Sequence, residues 1–171
     1  MGVWGAIIMG FFGAVFAAAT LALALQWTGA AIGLPFVGFA VIVLAAIVVI
    51  RQPGSGFALS RQGKRAILWS STAEGIGIFL AVNIVNNLGH PDWLLPAVAL
   101  VVGLHFFPIA YAVPFRFFYL LGMALLAAAA SGFVIGTAVG AEVAGFAAAT
   151  ALWLAAVLAI ARDSRAKTIS A

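Results

Sequence analysis

The stretch AAIGLPFVGFAVIVLAAIVVI, residues 30–50, passes without a charged side chain and stops at Arg51. Wound as a helix at 1.5 Å per residue, a run of that length reaches about 30 Å, the thickness of a bilayer's hydrocarbon core. Comparable apolar runs flank it on both sides. Six are read along the chain, at about 3–25, 30–50, 66–88, 93–112, 115–138 and 142–161. The breaks between them are Gln26-Trp27-Thr28-Gly29, the segment 51–65, Gly89-His90-Pro91-Asp92, Val113-Pro114 and Gly140-Ala141-Glu142, and a tail begins at Arg162. Composition agrees. The chain is 66% hydrophobic and 7% charged, whereas soluble chains carry roughly 25% charged residues. An ordinary water-soluble domain is excluded, and 171 residues leave no room beside six spans for a second one. The expected fold class is all-α, a polytopic membrane protein built as one transmembrane domain over residues 1–171, a bundle of six helices.

The net charge of +4 does not point to nucleic acid, because the basic residues are few and all flank spans. Arg51, Arg61, Lys64 and Arg65 lie between spans two and three, Arg116 follows the turn between spans four and five, and Arg162, Arg165 and Lys167 are in the tail. With both termini cytoplasmic, all eight fall on one side, as the positive-inside rule requires. The opposite loops hold Asp92, Glu142 and His90. A cytoplasmic loop 51–65, turned at Pro53, Gly54 and Gly56, and a cytoplasmic tail 162–171 follow. The cluster at Arg51, Arg61, Lys64 and Arg65 is expected to sit on anionic lipid headgroups, each charge contributing on the order of 1 kcal/mol. Trp4 and Trp69 near inner ends and Trp27 and Trp93 near outer ends mark headgroup levels. Trp153, inside span six, is expected to pack on a neighbour. The first apolar run lacks a basic n-region and exceeds the usual h-region of about 7–15 residues, so it is read as a retained span.

Two ionisable residues lie well inside spans, Glu74 and His105. Placing a charge at mid-span costs ~2.5–3.5 kcal/mol on insertion scales, so such residues face inward, find partners and mark function by default. Span three runs inside to outside and span four returns, which puts both residues roughly 10–14 Å from the inner boundary. Helices joined by a short turn are neighbours, and the two side chains are predicted to meet, directly or through water. Ser70 and Ser71, one turn before Glu74, are placed to hydrogen-bond its carboxyl group. Gly75 and Gly77 permit close approach of another backbone. Pro108 cannot donate to the carbonyl of Leu104, and a kink there is predicted to expose backbone acceptors beside His105, as in transporter sites built on broken helices. The plainer alternative is a Glu–His hydrogen bond that only joins two helices.

Asn83, Asn86 and Asn87 lie mostly opposite Glu74 on a helical wheel, with Thr72 on their side. Two polar faces predict that span three is central in the bundle. Asn83 is a candidate binding residue of an outer vestibule, with Gln26 and His90 at the same level, while Asn86 and Asn87 suit helix capping and interhelical bonds. Gly132, Gly136 and Gly140 form a small-residue face that would seat span six or a second protomer, hence a homo-oligomer. Glu142 suits a helix N-terminus. No metal site is expected, because the two histidines differ in depth and no Glu-x-x-His or His-x-x-x-His pattern occurs. The chain has no cysteine, no nucleophile elbow and no intramembrane lysine for a Schiff base, so no cofactor is expected.

The stretch Gly103-Leu104-His105-Phe106-Phe107-Pro108, followed by Pro114-Phe115 and an aromatic start to the next span, resembles a G-L-H-F-x-P motif in uncharacterised small six-helix bacterial membrane proteins. Those proteins tend to carry an acidic residue in the preceding span, where Glu74 stands here. The resemblance covers spans three to five. It implies a bacterial inner-membrane location and six helices, and it implies no activity. Three functions stay open on the residues alone. The first is a small transporter or carrier with Glu74 and His105 as a proton- or solute-binding pair. The second is an intramembrane enzyme acting on a lipid by acid–base chemistry. The third is a non-catalytic scaffold or assembly partner.

Overall fold

A computed structural model describes residues 2–55, 59–113 and 115–170, and the described residues are helical almost throughout. The helices are α1 (Val3–Ala19), α2 (Pro35–Arg51), α3 (Arg61–Leu88), α4 (Leu94–Ala112), α5 (Phe117–Ile135) and α6 (Ala138–Ser170). A π-helical turn, Thr20–Ala24, extends α1, and 3-10 turns at Gly29–Gly33 and Pro91–Trp93 lead into α2 and α4. With these extensions, six helical segments among the described residues are long and apolar enough to cross a membrane.

Local chemistry sets the ends. Pro35 opens α2, where its missing N–H is one the helix would leave unpaired anyway. The Ser60 hydroxyl accepts from the Gly63 N–H at 3.0 Å and caps α3. Gly136, at φ 64°, ends α5 in the left-handed conformation that glycine adopts without a Cβ penalty. The turn therefore falls at Gly136-Thr137 rather than at Gly140, and α6 begins at Ala138. Of the small-residue face, Gly136 is this turn, while a Cβ on Gly132 would lie 3.0 Å from the Gly140 carbonyl, so the other two let α5 and α6 close together.

Two polar segments prove helical. Residues 61–65 belong to α3, so the described non-helical residues after α2 are 52–55 and 59–60, and the expected tail as far as Ser170 forms the last turns of α6. Apolarity marks where hydrocarbon would end, not where helix does, and after Gly145 no glycine or proline stops α6. The turn proline Pro114 and the loop residue Gly56 lie outside the described residues.

α6 packs along α1 and α5 and also touches α4 and α2, while α4 packs on α5 and α3. Phe118, Ile109, Leu125 and Leu152 are fully buried between them. Trp153 crosses from α6 to α1, its indole N–H donating to the Gly10 carbonyl at 3.1 Å. The expectation for α3 is overturned. The helix is at the edge, with α4 as its one extensive helix neighbour, and α1 and α3 are not closely packed. Its outward polar groups need no neighbour, because Thr72 Oγ1 donates to the Leu68 carbonyl at 3.0 Å and Asn83 Nδ2 to the Phe79 carbonyl at 2.7 Å. Polar side chains that bond the carbonyl one turn back are satisfied within their own helix.

Both described termini, the C-terminus of α2, the N-terminus of α3 and Phe115 lie at one end of the bundle, and the helix directions bring all eight basic residues to it. There Lys167 Nζ donates to the carbonyls of Val49, Ile50 and Gln52 at 2.9, 3.0 and 3.2 Å, closing the C-terminus of α2. The Ser164 hydroxyl donates to Gln52 Oε1 at 3.1 Å. The Arg162 guanidinium stands 4.0 Å over the Phe115 ring.

Candidate functional site

α3 and α4 run antiparallel and in contact, and a Cβ on Gly77 would come within 2.8 Å of Val101 Cγ1. That close approach brings Glu74 and His105 to one level. His105 Nδ1 is 3.5 Å from Glu74 Oε2, and the two side chains are 7% and 13% exposed respectively. Ser70, which is also buried, bonds His105 rather than the carboxyl group. Its Oγ lies 2.7 Å from the His105 carbonyl and 3.0 Å from Nδ1.

These distances fix the imidazole tautomer. A hydroxyl has one proton to donate. Ser70 gives its proton to the His105 carbonyl, so Oγ accepts from Nδ1, and Nδ1 carries hydrogen. The same N–H faces Glu74 Oε2. In neutral His105, Nε2 is then the acceptor, and no hydrogen bond to it is made among the described residues. A carboxyl group 3.5 Å from one imidazole nitrogen, with no hydrogen bond to the other among the described residues, is an arrangement suited to proton exchange.

The pair lies between two openings. On one side a cavity of about 290 Å³ is walled by Met9 and Phe12 of α1, Ser71 and Glu74 of α3, His105 of α4 and Leu152 of α6. On the other, a cavity of about 310 Å³ is bounded by Ser70, Gly77, Val101, Leu104 and Pro108 with the same pair. The first has a neighbouring cavity in each direction along α1. It shares Phe12, Ile78 and Val102 with a wholly apolar cavity of about 230 Å³ that reaches Leu23 and Leu94. It shares Gly5, Ile8 and Ile67 with one of about 540 Å³ at the basic end, beside Lys64, Asp163 and Lys167. The result is a trough between α1 and α3, floored by α4, with Glu74 and His105 partway along it.

The candidate residues separate accordingly. Glu74, His105 and Ser70 come together. Ser71 lines the trough without a hydrogen bond to Glu74. Asn83 is not at the site, since it faces outward on α3. α4 passes through Pro108 without interruption, and the backbone acceptor in use is the His105 carbonyl. Sequence reasoning missed the wall supplied by α1 and Leu152, because an apolar residue in an apolar span carries no distinguishing mark. It also missed Asp163, 5% exposed beside Gly2. As a lone acid in a basic segment, Asp163 is the one such residue the sequence could have flagged. Compared with protein-family models, curated proteins and solved structures, the chain gives no significant match.

Proposed function

We propose that the protein is a small carrier in a bacterial inner membrane, and that it binds its solute in the trough between α1 and α3. Six spans with both termini in the cytoplasm place the basic end inside, where Arg51, Arg61, Lys64 and Arg65 meet anionic headgroups. Membrane insertion is supported by the outward face of α2, where Val37, Val41, Leu44 and Val48 are each more than 60% exposed. Such a stripe on a protein in water is an aggregation liability, and in hydrocarbon it is solvated.

One observation carries the functional reading: the 3.5 Å Glu74–His105 pair on the wall of the trough. An otherwise apolar cleft with a few convergent polar groups has the character of a small-molecule site, and a pair able to change its proton count within a span can couple that binding to proton movement. The test uses proteoliposomes with a trapped pH-sensitive dye, challenged in turn with lipophilic amines, weak acids and amphipathic alcohols. At least one probe is expected to evoke proton movement that Glu74→Gln and His105→Ala each abolish. If both variants match the wild type with every probe, the reading is wrong.

A second reading has a specific observation in its favour. The free Nε2, with Nδ1 held by Ser70 and Glu74, suits a general base, and a trough flanked by the edge helix α3 admits lipid from the side. An enzyme of this kind would release a modified lipid, detectable by mass spectrometry of vesicles incubated with the protein. Its absence leaves the carrier.

A further inference from the structure

We infer that the trough takes a single-chain amphiphile whose head is a hydrogen-bond donor, an amine or an alcohol, with its alkyl tail running from the Glu74–His105 pair away from the basic end. This rests on the carrier reading of the same site and names the class of its solute. The head follows from the atoms offered. With Nδ1 turned to Ser70 and Glu74, the remaining nitrogen of His105, which lines the trough, is Nε2, an acceptor. The Glu74 carboxyl group presents an acceptor oxygen as well. Ser71, the remaining polar wall residue, is satisfied by either role. A donor head is therefore matched, while a carboxylate or phosphate head would set its own acceptor oxygens against these.

The tail follows from the shape. Beyond the pair, in the direction of Leu23 and Leu94, the lining is wholly apolar. On α1 this part extends from Phe12 to Leu23, on the order of 16 Å at 1.5 Å per residue, room for about a dozen methylenes. Toward the basic end the trough widens and meets Lys64 and Asp163, surroundings that suit water rather than an alkyl chain. The apolar part is a groove of about 230 Å³ open along its side, which seats one alkyl chain lengthwise and leaves no room for a second beside it.

The experiment measures saturable binding of radiolabelled dodecylamine to the full-length protein in nanodiscs, against empty nanodiscs, with competition by alkylamines and alkanols of six to sixteen carbons, dodecanoic acid and dodecyl phosphate. The expected result is saturable binding that weakens at least tenfold in Glu74→Gln, is competed best near twelve carbons, and is competed poorly by the acid and the phosphate. Val98→Phe, which fills the floor of the apolar part, is expected to move the optimum to about eight carbons and to keep short-chain binding. Val82→Phe, on the wall formed by α3, repeats the test should the first variant fail to fold. Binding equal to that of empty nanodiscs, an optimum unmoved by a folded filling variant, or equal competition by acid and amine would each overturn the inference. Failure here with proton movement still dependent on Glu74 would leave the carrier reading standing with a different solute. Binding as expected without any proton movement would remove the carrier and keep the site.

Discussion

Removing the Ser70 hydroxyl isolates the bond on which the site's geometry depends. Ser70 holds α4 twice, through the His105 carbonyl at 2.7 Å and Nδ1 at 3.0 Å. Interhelical hydrogen bonds in a membrane average ~0.6 kcal/mol and reach ~1.7, so Ser70→Ala is expected to cost about 1–3 kcal/mol. His105→Ala removes the ring but leaves the carbonyl, and one of the two bonds survives. A double-mutant cycle between these substitutions then reports the ring bond alone, about 0.6–1.7 kcal/mol of coupling. That corresponds to roughly a 3- to 20-fold change in the unfolding constant. The assay is reversible unfolding in mixed micelles, followed by circular dichroism and tryptophan fluorescence. Coupling near zero would mean that Ser70 does not engage the ring, and the Nδ1–H tautomer derived from that contact would fall with it. A parallel cycle in Glu74→Gln measures the carboxyl group's share of the same N–H.

Other substitutions probe the scaffold. Gly77→Leu drives a side chain into Val101, whose Cγ1 would lie 2.8 Å from the new Cβ; an overpacking cost of about 1–3 kcal/mol is expected in the same unfolding assay. Lys167→Met strips three carbonyls at the end of α2 of their donor, and after discounting for solvent a loss of about 1–2 kcal/mol is expected. Ser60→Ala removes the cap of α3 at about 1 kcal/mol, read as lost helicity and faster protease cleavage near Arg61.

Much of the site was legible because ionisable groups are rare within spans and conspicuous there. Glu74 and His105 stand out by type, and the short turn Gly89-His90-Pro91-Asp92 makes their helices neighbours. The role of Ser70 was only half legible. The one-turn spacing puts it on the face of Glu74, but whether its proton goes to a carboxyl group or to a carbonyl of the next helix depends on the distance between the helix axes. The Asn83 side of span three was read as a second buried face for a related reason. Its polarity seemed to demand a neighbouring helix, yet the Phe79 carbonyl one turn back satisfies it.

The sequence by itself determined six apolar helical segments, their alternation in direction, and the gathering of every basic residue at one end. Those properties need only the length of an apolar run and the parity of the turns. Only the tertiary structure decided that α3 is an edge helix, that α1 supplies a wall of the site and that the two leave a trough between them. Helix neighbours beyond the next in the chain are chosen by close packing at small residues such as Gly77 and by cross-helix bonds such as Trp153 to Gly10. In a chain that is apolar nearly everywhere, no pattern of polarity announces those contacts in advance.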